Sequence, residues 1–111
     1  MSINYEGYLF TDPIWTGIWA PPRVAGLYAI LVPDQSIVPL HYRVIYFGET
    51  GDFSERGFII NHNKYACWIK ESGSEHYLYI SIFPQAVLTP EQRKAAEAVL
   101  IAKYRPACNL A

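Results

Sequence analysis

One stretch does most to limit the folds open to this chain. Tyr42-Arg43-Val44-Ile45-Tyr46-Phe47 runs into Gly48-Glu49-Thr50-Gly51 and then reaches Arg56. The first half is β-branched and aromatic, which suits a pleated strand. Gly48 and Gly51 break that strand, because glycine adopts backbone angles that cost other residues free energy. Asp52 or Ser54 is suited to cap a short following helix with Arg56 on an early turn. A strand that ends in tyrosine and glycine and leads to an arginine sets a phenol near a guanidinium. Arginine offers a fixed fork of donors to phosphate oxygens, and a phenol can give or take one proton. A hairpin strand followed by a surface arginine is the plainer reading of the same residues.

Residues 27–32 read as a second strand, directly after Gly26, and Pro33-Asp34-Gln35-Ser36 with Pro39 has turn composition. The two strands are expected to pair as an antiparallel hairpin with Tyr28 and Tyr46 close together on one face. Residues 77–83, Tyr-Leu-Tyr-Ile-Ser-Ile-Phe, form a near-continuous apolar run and the best candidate for a central strand. Tyr65, Trp68 and Ile69 recur at helical spacing, so a helix is expected over 63–71, ended by Ser72-Gly73-Ser74. Thr89-Pro90-Glu91-Gln92 carries a capping threonine, proline at the first helical position and glutamine three after the cap. The helix it opens runs to about Tyr104, with Pro106 as the stop. Near the start, Asp12-Pro13 with Trp15, Ile18 and Trp19 suggests another helix. Its aromatic stripe is read as core packing, with a stacking platform for bases as the alternative.

With 111 residues, 51% of them hydrophobic and 15% aromatic, the chain is expected to form one domain with a real core. No apolar run approaches the roughly 18 residues of a spanning helix, so no membrane partner is expected. Cys67 and Cys108 lack metal-ligand spacing and no export signal is visible, so reduced thiols and a cytoplasmic location are the expectation. The net charge of −1 argues against gripping nucleic acid by bulk electrostatics. Arg93, Lys94, Lys103 and Arg105 cluster late in the chain and read as a solvated helix face. There is no glycine-rich phosphate loop, cysteine pair or histidine cluster, which leaves little support for a small-molecule or redox enzyme.

Glu97 is the anomaly of the last helix. From Ala95 to Ala102 every other side chain is apolar. A lone buried carboxylate costs several kcal/mol, on the order of the effective penalty per ion, unless a cation or hydrogen bonds offset it. Either Glu97 points to water, or it is a metal ligand at the floor of a cleft, where Mg²⁺ takes one or two carboxylates plus waters.

Taken together these residues resemble the GIY-YIG nuclease domain. Gly26-Leu27-Tyr28 is similar to the first tripeptide of that family, with leucine for isoleucine, and Tyr46-Phe47-Gly48 to the second. Arg56 falls where the family carries its phosphate-binding arginine, and Glu97 where it carries its metal-binding glutamate. Tyr104-Arg105-Pro106-Ala107-Cys108-Asn109 looks like the closing pattern. The resemblance spans Gly26 to Asn109. Departures are a longer loop between the tripeptides, Glu49 where some members have a basic residue, and Ile60 where some have histidine, with His62 and Lys64 slightly later.

The resemblance implies an α+β fold in which a three-stranded antiparallel sheet is flanked by helices. Residues 26–111 are the catalytic domain, and 1–25 an aromatic-rich extension packed on it. It further implies a metal-dependent DNA endonuclease: one Mg²⁺ or Mn²⁺ on Glu97, Arg56 on the phosphate, and Tyr46 as general base, with Tyr28 positioning it or the water. Asn109 would steady the metal or Glu97, while His62 and Lys64 are secondary candidates for catalysis and substrate binding. A non-catalytic nucleic-acid or protein binding module on the same fold is the alternative. The near-zero charge and the lack of a visible appended DNA-binding domain speak for that alternative, and a targeting protein partner is a further expectation.

Overall fold

The structure is a computed structural model, and it describes residues 2–111. Three short strands come first, β1 (Ile3–Tyr5), β2 (Tyr8–Phe10) and β3 (Ile14–Trp15). Two long ones follow, β4 (Gly26–Pro33) and β5 (Tyr42–Thr50), then helix α1 (Tyr65–Ser72) and a 3-10 turn at Glu75–Tyr77. Strand β6 (Tyr79–Pro84) and helices α2 (Pro90–Tyr104) and α3 (Ala107–Leu110) complete the chain. The main sheet is antiparallel, in the order β3-β6-β4-β5, and β1 and β2 form a separate hairpin.

The α+β class agrees with the expectation, but the N-terminal segment does not. No helix forms around Trp15, Ile18 and Trp19. Glu6 and Gly7 both take positive φ, at 55° and 91°, and turn β1 back on β2. Asn4 Oδ1 accepts from the Gly7 amide at 2.7 Å and closes that turn. Ile14 and Trp15 then pair with Ile80 and Tyr79, giving the sheet a fourth strand in place of the three expected. A free edge on β6 offers backbone partners that local helical spacing cannot foresee. Thr11 is stitched to the same strand: its amide donates to the Ile82 carbonyl at 2.8 Å and its hydroxyl accepts from the Ile82 amide at 3.0 Å.

The sheet divides the core in two. On one face Tyr28, Ile30, Ile80 and Ile82 pack with Trp68 of α1 and Cys108 of α3. On the other, Leu27, Ala29, Leu31 and Phe47 meet Ala96 and Leu100 of α2 and Tyr5 and Phe10 of the hairpin. Each side is a dry apolar layer of the kind that dominates folding free energy.

The start of α2 and the end of α1 have local causes. For α2, the Gln92 amide donates to Thr89 Oγ1 at 3.1 Å, and Gln92 Oε1 accepts from the Thr89 amide at 2.9 Å. Helix α1 ends at Gly73 in the left-handed region, φ 82°. By contrast, the short helix expected around Arg56 is a series of turns. The Asp52 carboxylate accepts from both the amide and the hydroxyl of Ser54, at 2.9 and 2.7 Å, which favours a turn over a cap.

Two further expectations are overturned. Cys67 and Cys108 are joined in a disulfide that staples α1 to α3, with Cα atoms 5.8 Å apart. Free thiols therefore cannot argue for a reducing compartment. Arg93, assigned to a solvated face, is only 8% exposed. Among the described residues no helix is long and apolar enough to cross a membrane.

Candidate active site

Antiparallel register sets the two phenols. Tyr28 lies opposite Gly48, and Ile30 opposite Tyr46. Tyr28 and Tyr46 therefore share the α1 face, with ring centroids 6.0 Å apart. The pairing slips by one residue between Ile30 and Leu31, leaving Ile45 as an extra residue beside Tyr46. Such a bulge re-aims the side chains next to it. Gly48 is glycine for a steric reason: any side chain there would collide with the Tyr28 ring and hydroxyl. Removing that one Cβ lets Tyr28 lean over β5 towards Tyr46.

Behind the phenols stands His62. Its ring rests on Trp68, centroids 4.4 Å apart, and meets Tyr46 edge-on at 5.2 Å. The Lys64 amide donates to His62 Nδ1 at 3.0 Å. An amide can only donate, so in the neutral ring Nε2 carries the proton and donates to the Tyr28 oxygen, 2.8 Å away. Because His62 donates to it, the Tyr28 oxygen keeps its own proton to offer, and Tyr46 is the neighbouring phenol, 6.0 Å away between ring centroids. The result is a one-way chain of donors, Lys64 amide to His62 and His62 to Tyr28. Burial, followed by the Lys64 charge, lowers the His62 pKa and keeps the imidazole neutral.

Both phenols have raised pKa values. Desolvation is the main cause in each. For Tyr28 the neighbouring Tyr46 comes next and then the Glu97 charge, and for Tyr46 the Glu97 charge comes second. Tyr28 and His62 open onto a cavity of about 350 Å³, whose wall also includes Arg56, Glu49, Thr50 and Glu55. Arg56 is exposed and makes no ion pair among the described residues. Its guanidinium is free to meet a phosphate.

Glu97 arrives from the other side of the sheet. Helix α2 packs on the face opposite the phenols, yet β5 is the outermost strand and Glu97 reaches its free edge. There the Glu49 backbone amide lies near enough to hold its pKa down in part. The carboxyl is half-buried and its pKa is raised, by desolvation first and by the Glu49 charge second. Its effect on both hydroxyls is carried through space.

Asn109 occupies the neighbouring position on the same edge. Its Oδ1 accepts from the Phe47 amide at 2.8 Å and its Nδ2 donates to the Phe47 carbonyl at 2.9 Å. Phe47 and Glu49 are two apart, so their backbone groups point the same way. The amide expected to steady a metal or Glu97 is thus engaged with the strand on which Glu97 docks. Lys64, expected to bind substrate, has its ammonium 2.8 Å from the Ala111 carbonyl oxygen and serves His62 through its backbone.

Sequence reasoning missed Arg93. Its Nε donates to Glu49 Oε1 at 2.9 Å and an Nη donates to the Leu88 carbonyl at 3.0 Å. Arg93 thereby pairs with Glu49, whereas Glu97 makes no ion pair among the described residues. The signal was present: Arg93 lies four residues before Glu97, on the same stripe of the helix.

Tyr28, Tyr46, Arg56 and His62 thus form one group, flanked by Glu97 at the strand edge. No group of three or more histidine, cysteine or acidic side chains suited to holding a metal occurs among the described residues. No family model matches the chain, and no curated protein or solved structure matches it either.

Proposed function

We propose that this protein is a GIY-YIG-type endonuclease that hydrolyses phosphodiester bonds in DNA with the help of one divalent cation. The observation that carries the reading is the convergence of Tyr28, Tyr46 and His62 on one face of the sheet, with Tyr28 and His62 opening onto the cavity that Arg56 lines. A phenol can accept a proton from water only if its phenolate is stabilised, since a free tyrosine has a pKa of about 10. Tyr28 is the phenol beside Tyr46, and His62, by donating to the Tyr28 oxygen, leaves the Tyr28 proton to be offered to a neighbouring phenolate or water. Glu97 opposes the phenolate by its charge, so neutralising Glu97 favours the phenolate of Tyr46, the form able to take a proton from water. Arg56 meets a non-bridging oxygen and stabilises the charge that develops on the phosphoryl group.

The residues fit a Mg²⁺ or Mn²⁺ ion. Glu97 is half-buried, has no ion pair among the described residues and is held charged at a cost that a cation would remove. When bound, such an ion polarises the phosphate and stabilises the departing oxygen. Asn109 and Arg93 act at one remove, by holding the β5 edge and by pairing with Glu49 on the cavity wall.

Incubation of supercoiled plasmid and branched DNA with Mg²⁺ or Mn²⁺ tests the reading. Nicking is expected that disappears with EDTA and in Glu97→Gln, and that falls about 10²- to 10³-fold in Arg56→Ala, the usual cost of losing one charge-stabilising donor. Full activity in folded Glu97→Gln would eliminate the mechanism. DNA binding without nicking would leave the non-catalytic module.

A further inference from the structure

A second and larger cleft, of about 400 Å³, opens beside the cavity just described, and Gly57 belongs to the walls of both. Its sides are the indole of Trp15, the phenol of Tyr65 and the aliphatic chains of Ile59 and Ile60, with Thr16, Glu75 and His76 at polar edges. Among the lining residues there is neither lysine nor arginine. A phosphate has no cation to meet here, so the chemistry favours a flat, uncharged group with a few hydrogen-bonding edges.

The indole is held in advance of any ligand. Trp15 Nε1 donates to the Glu75 carbonyl at 3.1 Å, and its ring is offset-stacked on His76, 6.2 Å between centroids and 25° between planes. Gly17 lies against the same ring, and any side chain at that position would collide with it. A fixed aromatic wall that leaves a neighbouring cleft open is what base stacking requires, since every base presents a π-face.

We propose that this cleft receives an unpaired nucleobase from the strand whose phosphate faces Arg56. A duplex with a locally unpaired nucleotide beside the cut is then the preferred substrate. The proposal rests on the nuclease reading for its placement of the phosphate, and its test is separable from cleavage.

Equilibrium binding in EDTA of three short duplexes decides it: one fully paired, one with a bulged 2-aminopurine, and one with an abasic residue at the bulge. The base-containing bulge is expected to bind about tenfold or more tighter than either control, with quenched 2-aminopurine fluorescence. Ile60→Glu, a change at a side chain 65% exposed, and Trp15→Ala are each expected to remove that preference. Arg56→Ala should weaken all three duplexes alike. Equal binding of the base-containing and abasic bulges, or no binding of any duplex, overturns the proposal and leaves a peptide or a second copy of the chain as the occupant. A base preference without metal-dependent nicking would overturn the nuclease reading alone, and nicking without a base preference this inference alone.

Discussion

At the scale of single residues, the site depends on charges and protons held in unfavourable states. Glu97 has a raised pKa, so the unfolded chain gives up this proton at lower pH than the folded one. As pH rises through that window, ionisation costs the fold stability, and the cost is fully present above the folded-state pKa. In EDTA, Glu97→Gln is therefore expected to melt at higher temperature than the wild type at pH 7 while losing nicking, and calorimetry checks this. His62 carries the opposite linkage. Its folded pKa is lowered, so below about 6.5 the unfolded chain takes up a proton that the folded chain resists. Stability supplied by the neutral ring is thus present above that pH and lost on acidification through it. Tm should fall between pH 7 and pH 5.5 more steeply in the wild type than in His62→Gln. Of these residues, Tyr28, Tyr46, Arg56, His62 and Glu97 could all be picked out in the sequence. Arg93 and Gly48 could not be given their roles there, because an ion pair across 44 positions and a steric vacancy beneath a ring are products of register.

At the scale of elements, β5 is the frame of the site and its outer edge is closed by side chains in place of another strand. Asn109→Ala leaves the Phe47 amide and carbonyl without their partners. A loss of about 1–3 kcal/mol is expected for those unsatisfied groups, measured by chemical denaturation, together with weaker nicking through a loosened Glu97 seat. The Cys67–Cys108 disulfide ties α3, and hence Asn109, to α1 across a sequence separation of 41. In the chain-entropy model, closing a loop of that size is worth about 4 kcal/mol. Cys67→Ala/Cys108→Ala is expected to lose a comparable amount, and a reductant should lower the Tm of the wild type but not of this variant. The capping box, the glycine stop of α1 and the facing tyrosines were legible because their causes lie within a few residues. The first three strands were not, since Ile14 and Trp15 become strand only when β6 is there to receive them.

At the scale of the whole molecule, a net charge of −1 gives no long-range attraction to a polyanion. Arg56 is the one cation on the cavity wall, so few phosphate contacts are expected and the salt dependence should be shallow. Between about 50 and 200 mM salt, binding of a short duplex is expected to fall only about three- to twelvefold, as one or two released counterions predict. A much steeper fall would mean an extended basic interface. The most direct test of the site itself is anomalous scattering from Mn²⁺-soaked crystals. A peak should appear against the Glu97 carboxylate at the outer edge of β5, on the side of Tyr46 and Arg56, and should vanish in Glu97→Gln. A Mn²⁺ peak bound elsewhere, with none against Glu97 at saturating metal, would contradict a cation-assisted phosphodiester site at this strand edge.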